Sequence, residues 1–269
     1  MKVLFLIILA LILLFVLSLQ GRRDHQGLKG LQGWYYAHRG LHDDKKPENS
    51  MSAFRAALEN GYGIELDIHL LKDGNLAVMH DSSLKRTTGR DGRIEDLTTG
   101  QLKDYHLGGT AETIPEFKEV LELFSGKAPL IIELKAERGN HAALTEAACA
   151  MMESYEGPWC MESFDPRCVY WLKRHRPEVI RGQLTANFFK GEDLSLPRIL
   201  KWALQNQVFN FLTRPDFVAY KFEDRKTLSD LLVRKLWGIQ GVSWTLRSQA
   251  DFNTAIKEGR LPIFENIRP

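Results

Sequence analysis

Short apolar runs alternate with segments of helical periodicity along almost the whole chain, and this alternation limits the fold more than any other feature. Strand candidates fall at 33–37, 63–70, 76–79, 130–135, 159–164, 179–184, 208–212, 241–246 and 263–264. Helical patterns fall between them, at 51–59, 115–124, 141–155, 166–174, 196–205, in a region running to 236, and at 248–257. The second and third runs are separated by Asp73-Gly74, a strong hairpin signal. A two-residue loop joins only antiparallel strands, so 76–79 leaves the parallel set. Eight strands separated by helices remain, which is the pattern of a (β/α)8 TIM barrel. A chain of 269 residues suits one such domain.

The hairpin carries unusual chemistry for a core strand. A loop of Asp73-Gly74 alone would place Asp67 opposite His80 and His69 opposite Val78. Side chains alternate along a strand, so Glu65, Asp67 and His69 share one face. Two carboxylates in an otherwise apolar strand need water, a cation or a hydrogen-bonding partner.

The N-terminus differs in composition from the rest. Residues 3–19 contain only one polar residue, Ser18, and reach the lower limit for a membrane-spanning helix. No A-x-A-like cleavage site follows. Residues 1–20 are therefore expected to be a single-pass transmembrane anchor that places the protein at a membrane, its side undetermined. Residues 21–33, with four glycines and mixed charges, read as a tether, and 34–269 as the barrel domain. A net charge of +2, with no basic run interleaved with aromatics, gives no reason to expect nucleic acid. Cys149, Cys160 and Cys168 lack metal-site spacing and an even count, and read as buried apolar residues.

The working face of a (β/α)8 barrel lies at the C-terminal ends of its strands. Those ends carry His38 and Arg39, Glu65 and Asp67, Glu133 and Lys135, Ser163, and Trp244, with His80 arriving through the hairpin. Glu65, Asp67 and Glu133 make a hard-oxygen site suited to Ca²⁺ or Mg²⁺, while His38 and His80 keep zinc open. Two histidines beside a cation suit general acid and base. Arg39 and Lys135 supply fixed positive charge for an anion. Together these describe phosphoryl or acyl transfer on an anionic substrate.

His38-Arg39-Gly40, Pro47-Glu48-Asn49-Ser50, Glu65-x-Asp67, Lys72-Asp73-Gly74, His80-Asp81, Arg86-Thr87-Thr88, Ile114-Pro115, Glu133-x-Lys135, Ser163-Phe164 and Trp244-Thr245 follow one another in an order that resembles the glycerophosphodiester phosphodiesterases. The resemblance runs from about Trp34 to the C-terminus. It implies a barrel with a small insertion after the hairpin, here about residues 82–112. It implies Glu65, Asp67 and Glu133 as ligands of Ca²⁺ or Mg²⁺, His38 and His80 as the acid–base pair, and Arg39 and Lys135 on phosphate. Glu48 would support the site by hydrogen bonding, and Trp244 would wall the substrate. The implied reaction cleaves a glycerophosphodiester to glycerol 3-phosphate and an alcohol. Lysophospholipase D-type activity and a catalytically inactive tethered barrel are the alternatives. The chain departs from the family pattern at its end: Phe264-Glu265-Asn266-Ile267 stands where a Thr-Asp-x-Pro or Thr-Asn-x-Pro turn is usual.

Overall fold

The structure, a computed structural model, describes residues 1–190 and 196–269. The first half contains α1 (Lys2–Ser18), α2 (Leu28–Leu31), β1 (Tyr36–His38), α3 (Met51–Glu59), β2 (Gly63–Leu70), β3 (Leu76–Val78), α4 (Lys85–Thr88), α5 (Phe117–Phe124) and β4 (Leu130–Leu134). The second half contains α6 (His141–Met152), β5 (Trp159–Ser163), α7 (Pro166–His175), β6 (Arg181–Thr185), α8 (Arg198–Gln205), α9 (Asn210–Thr213), β7 (Phe217–Lys221), α10 (Leu228–Lys235), β8 (Gln240–Leu246), α11 (Gln249–Lys257) and β9 (Leu261–Phe264).

Eight parallel strands, β1, β2 and β4 to β9, close on themselves through β1, which pairs with both β2 and β9. β3 is the antiparallel return on the end of β2. Helix starts are fixed by side chains: Ser50 accepts from the Ala53 N–H, and Asp165 accepts from the Arg167 N–H with Pro166 in the first turn. The expected barrel and its strand count hold.

The hairpin register is corrected by one residue. Ile68 pairs with Val78 and His69 with Ala77, and the Met79 N–H donates to the Asp67 carbonyl, so Met79 and not His80 lies opposite Asp67. The reason is the loop. The Gly74 N–H donates to the Leu71 carbonyl, Leu71 pairs with Asn75, and Gly74 takes φ +86°. This is a three-residue loop with glycine at the left-handed position, rather than a two-residue loop.

The seventh strand is also moved. The apolar run at 208–212 falls partly in the short helix α9, and the strand is Phe217–Lys221, beyond Pro215. Short apolar runs do not distinguish helix from strand by periodicity. Residues 82–112 form a small annex with an apolar cluster of its own, including Leu84, Ile94, Leu97, Leu102 and Leu107 packed on Met79.

The N-terminal segment differs most from expectation. Among the described residues no helix is long and apolar enough to cross a membrane. α1 has 17 residues, about 25 Å at 1.5 Å per residue against a hydrocarbon core of about 30 Å. The expected transmembrane anchor is therefore corrected to a shorter apolar helix, exposed from Val3 to Leu14. Its end is already part of the barrel, because Leu19 is buried with Val218, Tyr220, Val233 and Ile239. Residues 21–33 are packed rather than a loose tether. Arg22 pairs with Asp216 (Nη2–Oδ2 2.6 Å), and Leu31 plugs the lower end of the barrel against Ile131, Phe217, Leu261 and Ile263.

Candidate active site

Inside the barrel the side chains alternate in and out, so each strand offers every second residue to the interior. In the lower interior these are Tyr36, Ile131 and Cys160. Two residues further along, the same strands present His38, Glu133 and Glu162, and β2 adds Glu65 and Asp67, all buried. Glu133 registers with Asp67 on one side and Glu162 on the other.

Ligand oxygens of Glu65, Asp67 and Glu133 lie within 4.8 Å of one another. Cations surround them. Lys135 Nζ donates to Glu133 Oε1 at 2.9 Å and lies 3.5 Å from Asp67 Oδ1. Arg39 Nη1 donates to Glu48 Oε1 at 2.8 Å, and its Nε is 3.5 Å from Asp67 Oδ2. Glu48 also receives both terminal nitrogens of Arg86, and Asn49 Nδ2 donates to Asp67 Oδ2 at 2.9 Å. Arg39 holds φ +55° and Gly40 φ +82°. A Cβ on Gly40 would come within 2.9 Å of Ala53, so the turn needs glycine there. It sets the Arg39 N–H 3.2 Å from Glu65 Oε2.

These residues fit a hard divalent cation. Asp67 Oδ1 is buried and accepts no hydrogen bond, which leaves a ligand oxygen free. Burial, with the charges of Asp67 and Glu133, pushes Glu65 well above the ordinary carboxylate range. Burial also raises Glu133, with Lys135 opposing. Against burial, which pushes it up, Lys135, His80 and Arg39 together hold Asp67 below its ordinary value. A cation among these oxygens would relieve the repulsion that now favours protonated Glu65 and Glu133.

The two histidines flank this cluster. His38 Nδ1 lies 2.8 Å from Glu265 Oε2, and its Nε2 lies 3.9 Å from Glu65 Oε2. Burial lowers His38 to about 4, with Glu265 opposing, so it is neutral at pH 7. His80 Nδ1 lies 2.6 Å from Asp81 Oδ1, and Arg86 Nε donates to Asp81 Oδ2 at 2.5 Å. His69, on the same strand face as the carboxylates, reaches the annex instead: Nδ1 is 2.8 Å from Glu95 Oε1. Trp244 donates from Nε1 to the Ala219 carbonyl at 3.1 Å and meets Phe164 edge-on at 5.6 Å. Phe164 and Phe188, with Glu133, Lys135 and Asn187, border a cleft of about 460 Å³ beside the carboxylates.

The expected residues thus converge on the mouth, with Trp244 on its aromatic side. Sequence reasoning missed Glu162 and Glu265. Glu162 is buried, its Oε2 lacks a partner, and burial with Glu133 nearby raises it well above its ordinary value. Strand alternation from Cys160 would have found it. Glu265 offers no local signal, because its partner is 227 residues away.

A (β/α)8 barrel with three buried carboxylates grouped between two histidines at its mouth has the make-up of an enzyme site. Residues 38–264 match the model of the glycerophosphoryl diester phosphodiesterase family, and the chain belongs to that family. A glycerophosphodiester phosphodiesterase of Bacillus altitudinis is 34% identical over 61% of this chain and 71% of its own. Glycerophosphodiester phosphodiesterase 1 of Mus musculus is 28% identical over 79% of this chain and 71% of its own. In fold, the chain is similar to an Oleispira antarctica phosphodiesterase solved with its product sn-glycerol-3-phosphate. That likeness has a TM-score of 0.69 at 23% identity and covers 86% of this chain and 92% of that one.

Proposed function

We propose that this chain is a phosphoric diester hydrolase that cleaves glycerophosphodiesters to glycerol 3-phosphate and an alcohol. The observation that carries the reading is the convergence of three buried carboxylates within 4.8 Å, flanked by His38 and His80. Glu65, Asp67 and Glu133 would hold Ca²⁺ or Mg²⁺, which suit an all-oxygen donor set. When bound, the cation neutralises charge on phosphate oxygens. Arg39 and Lys135, freed in part from the carboxylates, bind and orient the phosphodiester, with Glu48 fixing the Arg39 guanidinium. The glycerol 2-hydroxyl attacks phosphorus and the alcohol leaves; water then opens the cyclic phosphate. One histidine takes the hydroxyl proton and the other delivers a proton to the leaving oxygen. Phe164 and Phe188 wall the cleft that receives the alcohol, and Trp244 backs Phe164 edge-on.

The test is a panel of glycerophosphodiesters assayed for glycerol 3-phosphate with Ca²⁺, with Mg²⁺ and after exhaustive chelation. Turnover restored by one cation is expected. Full turnover after chelation overturns the cation assignment, and no turnover on any member overturns the substrate class.

The protein is also proposed to sit at a membrane through α1. The helix is exposed and apolar from Val3 to Leu14, and at its base Phe15 meets Trp202 at 5.9 Å beside the exposed Ile199, Phe211 and Leu212. Exposed apolar side chains of this number favour lipid contact. Lysophospholipids presented there are a second substrate class to include in the panel. Flotation of the full chain with phosphatidylglycerol-containing vesicles, lost on removal of residues 1–18, is the expected result. Flotation that survives the removal sinks the role of α1.

A further inference from the structure

The geometry points to Glu265, held by Arg247, as the positioning residue that presents His38 to the substrate with a free Nε2. The inference rests on the acid–base role proposed for His38 and adds a residue at the point where the chain departs from the family pattern.

Barrel closure places Glu265 there. Phe264 pairs with Ala37 on β1 and with Leu246 on β8, and the Glu265 N–H donates to the Leu246 carbonyl at 3.0 Å. Glu265 therefore leaves β9 level with His38. Its Oε2 accepts from His38 Nδ1 at 2.8 Å and from Arg247 Nη2 at 3.0 Å. Its Oε1 faces Arg247 Nε at 3.5 Å and Asn266 Nδ2 at 3.2 Å. Arg247 and Asn266 thus hold the carboxylate in place while His38 uses it.

The bond a histidine makes through one ring nitrogen fixes the state of the other. A carboxylate only accepts, so Nδ1 carries the hydrogen and the lone pair of neutral His38 sits on Nε2. Nε2 is the nitrogen turned toward Glu65 and the carboxylate cluster. Without Glu265 the ring would divide between two tautomers and be free to turn. The second histidine is built the same way, with Asp81 on Nδ1 and Arg86 on Asp81. The same histidine–carboxylate–arginine order thus occurs twice at one mouth. His80 takes its carboxylate from the next residue, and His38 takes its own from the far end of the chain.

His42 lies within reach of His38 and Glu265, so a second cation at this trio is the competing reading. The test uses the full chain as Glu265→Ala, Arg247→Ala, His38→Ala and the double variant His38→Ala/Glu265→Ala. Turnover on a glycerophosphodiester that the unmodified protein cleaves, Ca²⁺ binding by calorimetry, and ¹⁵N shifts of His38 are measured. Glu265→Ala is expected to lower kcat by about 10- to 100-fold, with KM, Ca²⁺ affinity and one-ion stoichiometry held. Arg247→Ala, which leaves the carboxylate in place, is expected to lower kcat by about 3- to 10-fold. In the His38→Ala background the Glu265 change should add nothing, since both act through one imidazole. The ¹⁵N shifts should report hydrogen on Nδ1 in the unmodified protein and a tautomer mixture in Glu265→Ala. Unchanged kcat in Glu265→Ala beside an impaired His38→Ala overturns the positioning role alone. So does an additive double variant, a lost ion, or hydrogen on Nε2 in the unmodified protein. Full activity in His38→Ala overturns the acid–base reading as well.

Discussion

The lower and upper halves of the barrel interior are built from the same strands, two residues apart, and obey opposite rules. Below, Tyr36, Ile131 and Cys160 join Leu31, Phe217, Val242, Leu261 and Ile263 in an apolar cluster. Above, His38, Glu133 and Glu162 continue those same three strands beside Glu65 and Asp67. Burial of the lower set stabilises the fold by about 25 cal/mol per Å² of apolar surface. Burial of the upper set costs free energy, since like charges crowd in a poorly solvated place. The contrast teaches that the lower half and its plug hold the fold, while the upper half keeps a strained arrangement that a ligand can relieve.

The sharpest way to break this division is to remove a carboxylate from the upper half. Asp67→Ala should abolish measurable turnover and weaken Ca²⁺ or Mg²⁺ binding by orders of magnitude, because it removes one of the three carboxylates whose oxygens lie within 4.8 Å of one another. The fold should survive, with the thermal unfolding temperature without cation lowered because Lys135, Arg39 and Asn49 lose a buried partner. A variant that unfolds, or that keeps wild-type turnover with cation, would show that Asp67 belongs structurally with the lower half.

Next in size is removal of the plug. Leu19 and Leu31 are fully buried, and each contributes about 1.5–3 kcal/mol. Deleting residues 1–33 should therefore lower stability by about 3–6 kcal/mol in urea unfolding, a large share of a typical domain's 5–15. Deleting residues 1–18 alone, which spares both leucines, should cost far less. Equal losses from the two deletions would place the stabilising contact in α1 rather than in the plug.

How much of this was legible in the sequence follows the same division. The upper half announced itself, because an ionisable residue at the end of an apolar run is conspicuous. His38, Glu65, Asp67 and Glu133 were all found that way. The lower half was not legible: Leu31 lies in a glycine-rich, charged stretch, and only the closed barrel reveals the hole it fills. Strand register depended on one turn, where Lys72 joins Asp73-Gly74 in the loop and moves Asp67 from opposite His80 to opposite Met79. The seventh strand was misplaced because two short apolar runs flank Pro215, and periodicity does not choose between them. Glu265 was invisible because nothing local marks a contact spanning 227 residues.

The histidines come third. His38→Ala and His80→Ala should each lower turnover by about 10² to 10⁴, as general acid–base groups do, with cation affinity nearly intact. His38 is the more buried, with its side chain 10% exposed against 31% for His80. Exogenous imidazole should therefore rescue His80→Ala better than His38→Ala, and equal rescue would argue against the difference in access. A histidine variant that lost cation binding in step with activity would make that residue a ligand and reopen the case for zinc.

The smallest expected effect is on pH dependence, and it measures the strain in the upper half directly. Burial and neighbouring carboxylates raise Glu65 well above its ordinary value, and burial raises Glu133. A group whose folded pKa is raised holds its proton longer in the native state than in the unfolded one. As pH climbs past about 4.3 the unfolded chain releases that proton first, so the cation-free protein loses stability until the folded pKa is reached. Cation binding needs the carboxylates ionised and therefore releases these protons. Affinity should rise with pH across the same window, by about tenfold per pH unit for each proton displaced, which is about 1.4 kcal/mol. Calorimetry in buffers of different ionisation enthalpy counts those protons. Zero proton release between pH 5 and 7, with affinity flat, would mean that Lys135 and Arg39 already keep all three carboxylates ionised. The upper half would then be a balanced charge network rather than a strained one, and its contrast with the lower half would rest on polarity alone.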